Sequence, residues 1–474
     1  MRDWLFTGGQ WRASATTEWI TIEDPATGEP VGRAPKGAAG DVEAAVLSAR
    51  SAARTWAAVP PAERGALLRR AAARIREHAD ELARLVTHEM GKPLADARGG
   101  VDAGAATLEQ YAELGPLHRG RALQGAWDAT DLMVFEPRGT VAVITPWNDP
   151  VAITCGLAGA ALATGNTVVH KPSERTPHTG ARLVELLAAE LPPGVLTMVA
   201  GDATAGAWLA ARPELDVIAH VGSTRAGRHI AEAASRTGAK VLRENGGKDA
   251  LVVDEDVDPE WAAGQVALGC FANAGQICTS VERVYVHRAV AEPFVAALAE
   301  AAEKLRMGPG LDEATELGPL VDRRHRENVH RHVREAVADG AKPLTGGVVP
   351  DGPGAFYPPT VLTDCADDMT IMREETFGPV APIRVVDGFD EALTAVGSVA
   401  YGLAATVLTA SQAHAQRAWR EIRVGTVKIN AVFGGAPGGA AQPIGASGEG
   451  FGYGPELLDE MTHTKVVHIS AARR

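Results

Sequence analysis

A thiol, a carboxylate and an amide stand at three points of this chain where their surroundings suit chemistry. Cys278 lies in Phe271-Ala272-Asn273-Ala274-Gly275-Gln276-Ile277-Cys278-Thr279, among small polar neighbours and a glycine that lets backbone approach a ligand. Free cysteine is also among the residues most often buried as filler, so the nonamer alone leaves a structural thiol open. Upstream, Leu242-Arg243-Glu244-Asn245-Gly246-Gly247-Lys248 offers Glu244, a carboxylate before a glycine pair at the end of an apolar run. A thiol and a base together suggest an activated nucleophile. Val141-Ala142-Val143-Ile144 reads as a strand that breaks into Thr145-Pro146-Trp147-Asn148-Asp149-Pro150. Asn148 then lies at the carboxyl end of a strand, where open α/β sheets bind ligands.

The elements that must position these groups follow from periodicity. Residues 40–115 are alanine-rich with apolar positions at helical spacing, broken at Pro60-Pro61 and Gly91-Lys92-Pro93. Strand patterns at 139–145, 166–171, 195–199, 216–221, 239–243 and 249–253 alternate with helical ones, which predicts a mostly parallel, doubly wound α/β sheet. A second αβ series starts near Val281-Glu282-Arg283-Val284-Tyr285-Val286, so a domain boundary is expected near Gly246-Gly247. The run Val217–Val221, followed by Gly222-Ser223-Thr224-Arg225-Ala226-Gly227 and a helical pattern, suits an anion at a helix start. The glycine-rich patch 434–441 reads as a loop near a ligand.

At 474 residues the chain is too long for one core. A formal net charge of -13 argues against nucleic acid or an anionic membrane as partner. The uncharged stretch 150–169 is broken by Thr154, Gly156, Gly159, Thr164, Gly165 and Asn166, and reads as a buried helix instead of a membrane span. The amino terminus carries no secretory pattern. Four cysteines, at 155, 270, 278 and 365, form no CxxC pair, and no metal site is expected; His325, His330 and His332 fall in a charged helical stretch and are expected to be solvated. Cysteine usage fits a reduced, cytoplasmic compartment.

In chain order, Pro146-Trp147-Asn148, Lys171-Pro172-Ser173-Glu174, Val221-Gly222-Ser223-Thr224, Glu244-Asn245-Gly246-Gly247-Lys248, Gly275-Gln276-Ile277-Cys278 and Glu374-Glu375-Thr376-Phe377-Gly378-Pro379 resemble the aldehyde dehydrogenase superfamily, in its NAD(P)-dependent, non-acylating form. The resemblance implies a Rossmann-type dinucleotide domain (1–117 and 137–246) and an α/β catalytic domain (247–442). It also implies a small β oligomerisation segment (118–136 and 443–474) that makes a homodimer or homotetramer. Cys278 would be the nucleophile, Glu244 the general base, and Asn148 with the Cys278 N–H the oxyanion donors. Lys171, Ser173, Glu174, Gly222, Ser223, Trp147, Glu375 and Phe377 fall on cofactor-binding positions, with NAD favoured over NADP by the Glu174 carboxylate. Asp149, Ile153, Gly156, Ile277 and Thr279 fall on the substrate tunnel.

Several positions depart from the family pattern. Asn245 replaces a common leucine, Asp149 an apolar residue and Gly156 a bulky aromatic. Leu157 and Gly452 stand where a lysine and a glutamate form a proton relay in some members, Phe451 replaces an arginine, and Ala441-Gln442-Pro443 stands for Phe-Gly-Gly. These changes point to a large or polar aldehyde, with Asp149 as a mere helix cap the competing reading. The alternatives to hydrolysis are transfer of the acyl group to coenzyme A, which the presence of Glu244 disfavours, and a non-catalytic binding protein on the same fold.

Overall fold

The structure is a computed structural model that describes residues 4–435 and 439–472. Five parallel strands form the heart of a first sheet, in the order Leu196–Val199, Thr167–Lys171, Thr140–Ile144, Val217–Val221 and Lys240–Glu244. Alternate side chains of one strand feed opposite cores, as a two-residue repeat requires. Val141 and Val143 join the cluster under the Leu94–Leu114 and Pro150–Ala163 helices, whereas Ala142 and Ile144 join the cluster under Ala39–Ala57. The uncharged 150–169 stretch is thus a buried helix and strand; a side chain at Gly159 would press on Leu108 and Tyr111 at 3.0 and 3.1 Å. No helix among the described residues is long and apolar enough to cross a membrane.

The chain leaves this sheet after Glu244 and enters a second one at Ala250. The second sheet runs Lys342–Thr345, Thr360–Thr363, Val380–Val386, Arg283–His287, Ala250–Val253, Ala404–Leu408 and Thr426–Ile429, parallel except for the first strand. The Asn245–Asp249 connection therefore lies where the two sheets meet.

The helical region divides at both expected breaks, into Ala39–Ala57, Pro61–Glu77, Ala79–Met90 and Leu94–Leu114, with a further break at His78 that no proline or glycine announces. Outside the main body, Ala129–Pro137 is the middle strand of a three-stranded antiparallel sheet, paired with Arg121–Leu123 on one side and with Thr462–Ser470 on the other, the latter in register from Thr462 opposite Pro137 to Ser470 opposite Ala129. The stretch before that last strand does something else. Gly448–Glu449 pairs with Arg243 and Glu244 at the edge of the first sheet, and Leu457, Leu458 and Met461 enter its core. Apolar burial, not pairing with the arm, decides where those residues go. The short amino-terminal strands, Leu5–Thr7 and Gln10–Arg12, add to the other edge; at three residues each they are too brief to show a period.

Candidate active site

The turn before Cys278 is unusual in its backbone. After the Pro259–Phe271 helix, Asn273, Ala274 and Gly275 take φ of 49, 55 and 70°, three left-handed residues in a row. Such a run is unfavourable for residues with a β-carbon and persists only where neighbours hold it. The holding groups are side-chain amides. Asn273 Nδ2 and Asn148 Nδ2 both donate to the Gln276 carbonyl, at 3.2 and 3.1 Å, while Gln276 Nε2 donates to the Asn273 carbonyl at 3.1 Å. At Gly275 a β-carbon would lie 2.2 Å from the Gly378 carbonyl, so only glycine fits.

This turn presents Cys278 to a cavity of about 200 Å³ that Asn148, Trp147, Ile153, Glu244, Glu375 and Phe377 help to line. The Cys278 thiol and the Glu244 carboxyl line the same cavity and act on each other electrostatically. Burial, then the Glu244 charge, pushes the thiol well above its ordinary range, and burial also raises Glu244. Each group is thereby biased toward its neutral, protonated form. Glu244 is placed by its strand: the Gly222 N–H donates to its carbonyl at 3.0 Å, and its backbone pairs with Gly448.

A second cavity, of about 570 Å³, opens at the carboxyl ends of the first-sheet strands and is lined by Lys171, Ser173, Glu174, Gly222, Ser223 and Trp147 among others. Its residues fit a dinucleotide. Ser223 caps the Thr224–Thr237 helix, its Oγ accepting from the Ala226 N–H at 3.3 Å, so the remaining N–H groups of that first turn suit a phosphate. Below it lies His220, buried, with neither ring nitrogen partnered, and a β-carbon at Gly222 would strike that ring at 2.7 Å. The buried Lys171 turns its Nζ to the Pro172 carbonyl at 2.9 Å. Ser173 Oγ accepts from the Arg175 N–H at 3.2 Å.

Glu375 and Phe377 come to the thiol's cavity from the second sheet's side. The Glu375 carboxyl lies where Gly246 lacks a β-carbon, accepts the Gly247 N–H at 3.0 Å, and is pushed up to about 8 by burial and then by Glu282. Phe377 packs edge-on against Trp147, with ring centroids 5.5 Å apart. His325 completes this aromatic group at 5.8 Å from Trp147 and lines the same cavity, which corrects the expectation that it is solvated. His332 is buried too, and His330 is half-buried. The Arg323–Ala338 helix turns 325, 329, 332, 333 and 336 inward, a helical stripe that the abundant arginines obscure in sequence.

The tunnel residues are only partly brought together. Ile153 lines the thiol's cavity; Asp149, Gly156, Ile277 and Thr279 are not among its lining residues. Asp149 holds the N-cap position of the Pro150–Ala163 helix but caps no N–H; its carboxylate faces the buried Lys92 Nζ at 3.6 Å. The cap reading is thereby corrected, because the Lys92 charge outcompetes the helix amides. A β-carbon at Gly156 would touch only Thr107, at 4.0 Å. Thr107 in turn borders an open cleft of about 1070 Å³ between the Leu94–Leu114 helix and the chain at 425–427 and 439–441. Of the glycine-rich patch, 436–438 lie outside the described residues, and the flanking Gly434, Gly435, Gly439, Ala440 and Ala441 line that cleft. Gly452 bears on Glu244 directly, since a β-carbon there would sit 3.1 Å from Glu244 Oε2. Asn245 is buried, its Nδ2 donating to the Ala446 carbonyl at 2.9 Å.

A thiol, a carboxyl and an amide lining one cavity, next to a larger cavity at a sheet's carboxyl edge, suit covalent thiol chemistry beside a bound ligand. A model of the aldehyde dehydrogenase family matches residues 11–467. The crystal structure of lactaldehyde dehydrogenase from Escherichia coli superposes with a TM-score of 0.96 at 33% identity, covering 99% of each chain. An NAD-dependent aldehyde dehydrogenase from Sinorhizobium meliloti gives 0.96 at 35% identity over 100% of this chain and 96% of that one. Betaine aldehyde dehydrogenase from Staphylococcus aureus in complex with NAD+ gives 0.96 at 31% over the same shares. The chain belongs to the aldehyde dehydrogenase family and is an oxidoreductase that acts on aldehydes with a nicotinamide dinucleotide.

Proposed function

We propose that the protein converts an aldehyde to its carboxylic acid with NAD+ and water, through a thioester on Cys278. The carrying observation is that Cys278, Glu244 and Asn148 line one cavity. Lys171 and Glu174 would hold the adenosine ribose, Gly222 and Ser223 the pyrophosphate, and Glu375 and Phe377 the nicotinamide ribose and ring, with Ser173 and Trp147 along the wall. When bound, the nicotinamide supplies the hydride acceptor.

Glu244 takes the thiol proton as Cys278 Sγ adds to the carbonyl carbon. The resulting oxyanion is held by the Asn148 side-chain amide and the Cys278 N–H; one such donor is worth ~10²-fold or more in rate. Loss of hydride from the same carbon leaves the thioester. Glu244 gives up that first proton to solvent and then removes one from the attacking water; the oxygen adds to the thioester carbon, and the departing Cys278 Sγ takes a proton back from Glu244. The sum is aldehyde, NAD+ and water to carboxylate, NADH and two protons. Gly452 leaves the far side of the Glu244 carboxyl without a side chain, so water is the proton's way out.

Lys171 already engaged with a carbonyl, next to the Glu174 carboxylate, supports NAD over NADP. Glu244 beside the thiol supports water over coenzyme A as acyl acceptor. For substrate we favour a large, polar, uncharged or cationic aldehyde, hydroxylated or amine-bearing. Gly156 opens toward Thr107, Asp149 is answered by Lys92, and the cleft beyond carries Glu109, Gln110 and Glu113. The Ala129–Pro137 and Thr462–Ser470 ribbon leaves Val466 and Ile469 exposed, which supports a homodimer or homotetramer; the cysteine pattern favours the cytoplasm.

The test is NADH formation by the purified protein with NAD or NADP against apolar, hydroxy, amino and carboxy aldehydes, with and without coenzyme A. Turnover without coenzyme A, greatest on the hydroxy or amino compounds, is the expected result. Strict dependence on coenzyme A would overturn hydrolysis, and silence across the panel would favour a binding protein.

A further inference from the structure

We propose that Glu282 and Lys248 form a buried clamp that sets the position of the Glu375–Phe377 turn, which makes Glu282 a positioning residue for hydride transfer. The inference rests on reading Glu375 and Phe377 as nicotinamide contacts.

Phe377 has φ of 53°, a left-handed conformation that an aromatic residue keeps only when its surroundings over-determine it. Two successive amides of the turn point at one carboxylate. Glu282 Oε2 accepts the Thr376 N–H and Oε1 accepts the Phe377 N–H, each at 2.8 Å. Lys248 Nζ donates to the same Oε2 at 2.7 Å and to Thr376 Oγ1 at 3.2 Å. That hydroxyl lies 3.2 Å from His332 Nδ1. From the other side His325 Nε2 donates to the Phe377 carbonyl at 2.7 Å.

The Lys248 side chain is wholly buried and that of Glu282 is 6% exposed. A buried ion pair rarely stabilises a fold more than apolar packing of the same volume would. Here three donors converge on Glu282, and two of them are backbone amides of the very turn that borders the thiol's cavity. Charge-assisted hydrogen bonds fix direction as well as distance. The anchors are rigid, because Glu282 immediately precedes the Arg283–His287 strand and Lys248 lies just before Ala250–Val253. Lys248 also follows Glu244 within one short connection, and the Gly247 N–H of that connection holds Glu375 Oε1. One stretch of backbone thus registers the base and the nicotinamide platform against each other.

The test uses Glu282→Gln and, because that change strands a buried ammonium, the paired Lys248→Met/Glu282→Gln, in which both charges go together. Three readouts are compared with wild type once melting temperature shows the variant folded: NAD affinity by tryptophan quenching, the single-turnover NADH burst, and hydrolysis of p-nitrophenyl acetate without NAD. Ester hydrolysis needs the thiol and Glu244 but no nicotinamide, so a merely structural role would move it together with the burst. The expected result is a burst slowed by ~10²-fold, as misplacement of reacting groups by about 1 Å produces, with weaker NAD binding and ester hydrolysis retained. An unchanged burst and affinity in a folded variant would overturn the clamp, as would ester hydrolysis falling in step with the burst. A wild type that hydrolyses the ester yet binds no NAD would overturn the cofactor reading itself, and the clamp with it.

Discussion

The two flanks of the Cys278 thiol are built on opposite principles. On the Phe377 flank the Thr376 and Phe377 N–H groups and the Phe377 carbonyl are answered by side chains, Glu282 and His325, with Lys248 holding Glu282 in turn. On the Glu244 flank the carboxyl shares a cavity with the thiol and approaches Gly452, which offers it no side chain, and Leu157 is buried. The contrast follows from what each flank has to hold. Hydride moves over a short, directed path and punishes displacement, so its platform is wired. A proton can travel through water, so in the proposed mechanism the base needs to reach the thiol and otherwise needs an opening.

The comparison breaks most completely at the group both flanks share. Cys278→Ser is expected to abolish the NADH burst and NAD-free ester hydrolysis together, which stopped-flow absorbance and a p-nitrophenol assay would show. Glu244→Gln should separate the flanks: the burst persists, while steady-state turnover drops ~10²–10⁴-fold, the usual range for losing a general base. Asn148→Ala acts on the addition step and should slow the burst by ~10²-fold, read in single-turnover mixing.

Smaller effects sharpen the contrast. Burial raises Glu244, so the base stays protonated above the ordinary carboxylate range, and kcat should climb with pH there and fall away as pH drops. A kcat profile flat from pH 5 upward would contradict this. Burial, and after it the Glu244 charge, holds the Cys278 thiol high, so in Glu244→Gln the pH profile of iodoacetamide alkylation should move part of the way to lower pH. Least of all, Gly452→Ala should leave the burst alone and trim turnover only modestly, by crowding water beside Glu244 Oε2.

Much of this was legible before the structure. The six strand patterns from 139 to 253 match observed strands to within a residue at each end, because buried parallel strands are short β-branched runs with turn residues between them. The motif residues Cys278, Glu244, Asn148, Glu375 and Phe377 do line one cavity. Asp149, Gly156, Ile277 and Thr279 do not, since adjacency in sequence to a site residue says little about the direction of a side chain on a helix or a turn.

The chain's order of residues by itself determined the α/β alternation, the family and the identities of thiol, carboxylate and amide. These are local properties: period, turn chemistry and motif spacing. Only the tertiary structure decided that Lys92 answers Asp149, that His325 closes the aromatic group on Trp147, and that Glu282 grips the turn of Phe377, ninety-five positions away. Ion pairs and hydrogen bonds across such separations depend on where two sheets come to rest against each other, and no periodicity along one strand encodes that distance.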